Sequence, residues 1–408
     1  MRSTMLLLLL ALTTALPAAA QDATVPADLT VVRNGAAPSG GVQDLRLQEL
    51  WRAGGADDED VIFGVVTQLE TDDAGNVYLL DTQLSQVMVF DRDGNFTGTL
   101  SREGDGPGEV RMPADMCFLQ DGSLALMQTF PGKVTKITLD DQPAGTVEPG
   151  ADAQAGGFLL MRDINAAGKW LVGCGEKIQM ESDQSGQTRV AFLSAFGPDG
   201  AKSHDFLTST RQWKWADMVW DEGAEYFVHY RKWDAGPDGR VYAAFDRDSY
   251  RIGVWEADGT PVHVIQRDYA RLERDAETLA RVEEGMENLK RQFGPIPVKT
   301  QTEKLEQDII SLFVTPQNEL WVLSGRGQSD QPEGVMATYD VFSPAGEFVR
   351  RVRVHVPGDG REDALMFARD GRMLVVKGFI AAVTALQGGG GDAESEPEPM
   401  EVICYSAE

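Results

Sequence analysis

The stretch DDAGNVYLLDTQLSQVMVFDRDGNFTGTL, residues 72–100, is a unit that returns along the chain, and that recurrence restricts the fold more than any other feature. An inner strand ends in a turn at Gly75, NVYLLDT runs back, QVMVFDRD returns, and Asp93-Gly94 turns the chain into FTGTL. Short strands joined by tight Gly turns make a four-stranded antiparallel meander. The unit recurs around Asp121-Gly122 with SLALMQT and KVTKITLDD, and around Gly168 with KWLVGC, VAFLSAFGPDG and HDFL. It recurs again around Asp238-Gly239 with RVYAAFD, RIGVWEADG and PVHVI, then as LFVTPQNELWVLSG with ATYDVFSPAGEFVRRVRV. The last unit, LMFARDGRMLVVKG with MEVICYSA, lacks a fourth strand.

Near the other end, LRLQELWRAGG, residues 45–55, belongs to no unit. Pairing it beside residues 400–406 closes a ring and removes two exposed sheet edges. The fold read from this pattern is all-β: a six-bladed β-propeller with the N-terminal strand completing the last blade (1+3 closure), plus one helical insertion. Each small sheet exposes two faces, so its stability must come from stacking on its neighbours. The domain reading is a signal peptide at 1–21, a flexible segment at 22–44, and the propeller at 45–408, carrying a helical insertion at about 268–308 and an acidic Gly-rich loop at 387–400.

The pattern DDAGNVYLLDTQLSQVMVFDRDGNFTGTLSREGDGPGEV resembles the bacterial six-bladed beta-propeller family related to NHL-repeat proteins, over roughly residues 45–408. The resemblance implies the propeller and an extracytoplasmic address. It implies no reaction, because the fold hosts many unrelated activities.

The opening MRSTMLLLLLALTTALPAAAQ, with Arg2 before an apolar run and Ala18, Ala19 and Ala20 after it, reads as a secretory signal peptide. The expected location is periplasmic or extracellular. No later stretch reaches the roughly 20 apolar residues of a membrane helix, so no membrane span is expected. Lys+Arg 37 against Asp+Glu 64 gives a net charge of −27, a surface that repels nucleic acid. Cys117, Cys174 and Cys404 are far apart and sit in apolar contexts, the pattern of buried small hydrophobes.

Antiparallel order separates two ends of such a molecule. Turns from first to second and from third to fourth strands fall on one end and are all short. Connections from second to third strands, and between blades, fall on the other. There lie KIQMESDQSGQ (177–187), GQSDQPEG (327–334), QGGGGDAESEPEPM (387–400), REGDGPGEVRMP (102–113) and RQWKWADMVWDEGAEYFVHYRKW (211–233). Loops on a rigid scaffold carry function, so the long-loop end is the expected working face. EGDGPGEV itself reads as a connector: a phosphate cradle wants Gly-Lys-Ser/Thr before a helix, and Glu109 stands where that cation would be.

The candidate contacts on that face are Arg102, Glu103, Arg111, Trp213, Trp215, His229, Tyr230, Arg231 and Trp233. Aromatic groups beside cations suit a glycan, an aromatic metabolite or a peptide. In 211–233, Phe227 and Tyr226 are the expected inner strand of the fourth blade. The run RDYARLERDAETLARVEEGMENLKRQFG steps its apolar residues by three and four from Tyr269 to Phe293, predicting an amphipathic helix closed by Gly294-Pro295, with Glu277–Arg281 and Glu287–Arg291 pairs on its other face. Its stripe packs on the propeller or meets a partner or second copy.

His263 and His355 are expected on outer strands facing solvent, leaving His229 as the one histidine able to reach the axis. Asp81 and Asp246 end second strands, where a carboxylate caps its own turn or holds calcium. The reading is an exported, non-catalytic propeller binding a small molecule, glycan or protein on its long-loop face. No cofactor is assigned; the alternatives are a metal-dependent hydrolase or lyase of the lactonase type, which bound calcium or zinc would favour, and a scaffold in a cell-surface complex.

Overall fold

Apolar runs such as Val77–Asp81 and Leu124–Gln128 are buried along their whole length, because each strand is covered on both faces by neighbouring sheets. The computed structural model describes residues 24–149, 157–294, 296–386 and 399–407. Four antiparallel sheets follow one another in chain order. They begin with Val66–Thr71, Pro113–Phe118, Gly157–Ala167 and Trp233–Ala235, and each meanders to a fourth strand. The Asp-rich turns fold as their chemistry demands: Asp72 Oδ1 accepts from Ala74 N and Asn76 N, and Gly75 takes a φ of +85° that a side chain would resist.

A fifth meander starting at Ile309–Val314 shares one strand with the last sheet. Within Val42–Gly54, residues Val42–Arg46 pair parallel with Arg351–His355, and Leu47–Gly54 pair antiparallel with Glu401–Ala407. Met373–Lys377 and Ala364–Phe367 complete that sheet. Residues 47–52 therefore lie against Glu401–Ala407, while Leu45 and Arg46, expected there too, pair with Val354 and His355. The whole is all-β and propeller-like, with apolar cores between successive sheets. In one of these, Tyr78, Leu80 and Val87 meet Met116, Leu124 and Leu126, at about 1.5–3 kcal/mol per fully buried large side chain.

Several expectations need correction. The 22–44 segment was expected to be flexible, yet Val31–Asn34 adds a parallel strand beside Val264–Arg267, and Gly40 N bonds to the Val349 carbonyl. The 177–187 run is no loop except at its centre, because strands Trp170–Met180 and Gly186–Phe196 extend into it. Phe227 and Tyr226 are not the inner strand of the fourth sheet, which is Trp233–Ala235. His263 is buried rather than solvent-facing, and His355 pairs with Asp44 at 2.7 Å. The signal peptide at 1–21, Pro295 and most of the acidic loop, 387–398, lie outside the described residues.

The helix runs Ala276–Gln292, capped by the Asp275 side chain on Thr278 N at 2.8 Å. Tyr269 and Leu272 precede it, because Glu273 and Arg274 pair with Leu305 and Lys304 instead of continuing the turn. Glu277 meets Arg281 at 3.8 Å, whereas Glu287 pairs with Lys290 rather than Arg291. The insertion is clamped at its base. Burial opposes charge on Glu222, but hydrogen bonds from Arg274 (2.7 Å) and Arg247 (2.8 Å) hold its carboxyl down to about 2. Among the described residues no helix is long and apolar enough to cross a membrane.

Candidate functional site

The strands that open the four sheets, together with Ile309–Val314 and Ala364–Phe367, line one narrow cavity of about 140 Å³, and a wider funnel of about 660 Å³ adjoins it. Both share Gln68, Asp163, Arg231, Ser311, Tyr339 and Leu365. The funnel lies at the end where the long connections emerge, since its walls include the link residues Tyr230, Arg231 and Lys232 and the Phe379–Leu386 helix, which joins second and third strands of the last sheet.

Inside the narrow cavity the chemistry is mostly that of strand staples. Asp115 Oδ2 accepts from Ile164 N of the next sheet at 2.7 Å. Asp163 Oδ2 accepts from Arg231 N at 2.9 Å, and Asp234 Oδ2 from Val314 N at 2.7 Å. Each carboxylate satisfies a backbone donor of the following element that would otherwise be buried unpaired. Asn165 bridges to Asp234 at 2.6 Å, and Arg369 ties Glu70 at 3.1 Å. Burial raises all four carboxyls. Asp115 rises most clearly, because Asp163 sits beside it, and Asp234 is pushed up to about 6. The sequence reading missed these aspartates; their signal was a carboxylate in the inner strand of successive units, at Asp115, Asp163 and Asp234.

The funnel mouth carries backbone strain. Tyr230 and Arg231 adopt φ of 53° and 65°, two consecutive left-handed residues that are not glycine. Such conformations persist where surrounding bonds over-determine them, and they cluster at functional sites. Here the bonds are Arg231 N to Asp163 and Leu312 N to the Arg231 carbonyl, at 2.9 and 2.8 Å. The Arg231 guanidinium donates to the Thr67 carbonyl at 3.0 Å, and it forms no ion pair among the described residues. Tyr230 is exposed, and its hydroxyl accepts from Arg162 Nη1 at 3.2 Å. Lys232 lines the funnel too, and burial lowers its ammonium to about 8.

Of the nine candidate contacts, Tyr230 and Arg231 line this funnel and the others do not. Arg102 pairs with Glu109, while Arg111 pairs with Glu103 and Asp105, so the link from the first sheet to the second consumes its own charges. Trp213 is buried in the strand Lys202–Lys214, under the Arg189 guanidinium at 3.8 Å and donating to Glu225 at 3.2 Å. Trp215 sits in the following short turn, and Trp233 is buried at the start of the fourth sheet. His229 lies behind the funnel with Nδ1 3.2 Å from Cys174 Sγ. Burial lowers that imidazole to about 3 and drives the thiol up, so the pair rests neutral rather than as an activated thiolate.

Asp81 accepts from Gly64 N, Val65 N and Leu84 N, the work of a turn cap, and Asp246 accepts from Asp248 N. Among the described residues no three His, Cys, Asp or Glu converge as a metal-binding group. The reading of the sequence also missed Arg162, Lys232 and the helix Phe379–Leu386, the last too short to give a periodic signal.

No curated protein matches the sequence. Solved structures resemble it at low identity. A Bacteroides fragilis protein believed to be exported is 11% identical with a TM-score of 0.46, covering 93% of this chain and 100% of that one. A duf4221 family member from Bacteroides vulgatus is 8% identical, TM-score 0.46, covering 89% and 98%. A streptogramin B lyase is 8% identical, TM-score 0.39, covering 88% and 100%. Likenesses of that size say nothing of this chain's chemistry. Residues 57–148, spanning the first two sheets, match the family model described as a 6-bladed beta-propeller, and it is with that family that the chain's likeness lies.

Proposed function

We propose that this chain is an exported six-bladed propeller, its last blade completed by the N-terminal strand, that binds a ligand in the funnel on its long-loop end without catalysing a reaction. The single observation that carries the site is the Tyr230–Arg231 pair, held left-handed at the mouth of a funnel of about 660 Å³. Pockets of this size, apolar with a few convergent polar groups, are where small molecules bind. The six first strands that share one axial cavity support the closed ring, and Arg2 with its apolar run supports export.

A thermal-shift screen of neutral, anionic and cationic small molecules tests the site. Ile380 is 44% exposed on the funnel wall, so Ile380→Asp alters the cavity without disturbing a core. Compounds that raise the wild-type melting temperature should lose that effect in the variant. Stabilisers acting equally on both proteins, or no stabilisers at all, would remove the funnel as the binding site.

A further inference from the structure

The funnel has two chemically different walls, and the ligand selectivity they imply rests on the reading that the funnel is the binding site. One wall is apolar: Leu323 and Met336 from the fifth sheet face Phe379, Ile380, Val383 and Leu386 of the short helix. The other is cationic, built from Arg162, Arg231 and Lys232. Arg162 is already shared between Glu176 at 3.4 Å and the Tyr230 hydroxyl. Arg231 makes one side-chain hydrogen bond, to a neutral carbonyl. The Lys232 ammonium makes no hydrogen bond or ion pair among the described residues, and it lies 5.9 Å from the centre of the Tyr226 ring.

Neither the Arg231 guanidinium nor the Lys232 ammonium forms a salt bridge among the described residues, in a chain of net charge −27 where carboxylates abound; the carboxyl whose charge acts on both is that of buried Asp163. Removing a cation from water without a partner is unfavourable, and a carboxylate supplies both charge and acceptors. The nearby acids are taken: Asp163 accepts from Arg231 N, and Asp363 is bonded to Lys377, Gly378 N and Asp359 N. Those same acids disfavour a ligand with several negative charges.

We propose that the funnel selects a small organic acid bearing one carboxylate on an apolar body, its head group on Arg231 and Lys232 and its body against the Phe379–Leu386 helix. Burial lowers the proton affinity of the Lys232 ammonium despite the opposing pull of Asp163, so a ligand carboxylate beside it would be favoured.

The test uses a neutral fluorescent reporter, N-phenylnaphthylamine, displaced by decanoate, decanol or decyltrimethylammonium from the wild type and from Arg231→Gln, Lys232→Gln and Ile380→Asp. Circular dichroism melts confirm that the variants are folded. Expected are reporter uptake that falls in Ile380→Asp, displacement by decanoate at a concentration at least about tenfold lower than by decanol, and loss of that preference in the double Arg231→Gln/Lys232→Gln variant. Uptake with equal displacement by decanoate and decanol overturns the acid selectivity while leaving the funnel as a site. Stronger displacement by the cationic competitor overturns it as well. No uptake, and no displacement or direct calorimetric heat with decanoate, overturns both readings together.

Discussion

Arg231 Nη2 donates to the carbonyl of Thr67 at 3.0 Å, joining the link before the fourth sheet to the first strand of the first sheet across 164 residues. The residue that makes that crossing is itself left-handed, at φ 65°, and lines the funnel. Strain at the mouth and the tether across it are one arrangement.

The strain is measurable. Tyr230 is 61% exposed and buries little, so removing its side chain sacrifices little packing. Glycine tolerates its φ of 53° and alanine does not. Tyr230→Gly should therefore be more stable than Tyr230→Ala by about 1 kcal/mol in urea denaturation. Equal stabilities would mean that the conformation is not strained.

Asp234 makes stability depend on pH. Its carboxyl moves from 3.8 to about 6 on folding, chiefly through burial, so the folded state holds the proton more tightly than the unfolded chain. The contribution of Asp234 is constant below 3.8 and declines as pH rises from there to about 6, by up to about 3 kcal/mol. Glu222 acts in the opposite sense: held at about 2 against 4.5, it contributes stability above 4.5 that is lost as pH falls toward 2. Asp234→Asn should flatten the decline between 3.8 and about 6 while leaving the acid limb in place. The baseline also falls by about 1–3 kcal/mol, because an amide cannot accept from both neighbours. The slope, read from denaturation midpoints across that range, is the decisive quantity.

Trp213 should behave as a keystone and not as a ligand contact. Its ring stacks under Arg189 and meets Trp220 and Phe293, tying the third sheet to the helical insertion. Trp213→Ala is expected to cost about 3–5 kcal/mol and to hasten tryptic cleavage within Ala276–Gln292. Unchanged proteolysis would show that the insertion is held elsewhere.

All three cysteines are free and buried. A thiol reagent should label none in the native protein and three after denaturation. Native labelling of Cys174 would mean that the His229 pair is reachable and reactive.

The turns were the readable part of this molecule. Asp-Gly and Asn-containing turns act locally, so Gly75, Gly94 and Gly239 marked the hairpins within each sheet without knowledge of anything distant. The orphan strand was readable by elimination. Trp213 was misread because the third sheet's strands continue well beyond the length of those in the first two, carrying loop-like residues into a ladder. His263 was misread because alternation says which side a residue takes but not what covers that side. The staples at Asp115, Asp163 and Asp234 answer to backbone donors on another sheet, and acidic residues in strands invite a metal reading first. The funnel is hardest of all: Thr67, Arg162, Arg231, Met336 and Val383 come from separate segments, and only the tertiary fold assembles them.

The strand Val42–Gly54 takes its partner Glu401–Ala407 from far along the chain: Arg52 and Glu401, which are bonded to each other, stand 349 residues apart. Without that partner Leu47–Gly54 has an unsatisfied edge, so this sheet forms only when two distant segments meet. Loss of Glu401–Ala407 would bare the edges of both Leu47–Gly54 and Met373–Lys377, two sticky margins on which a foreign strand would add.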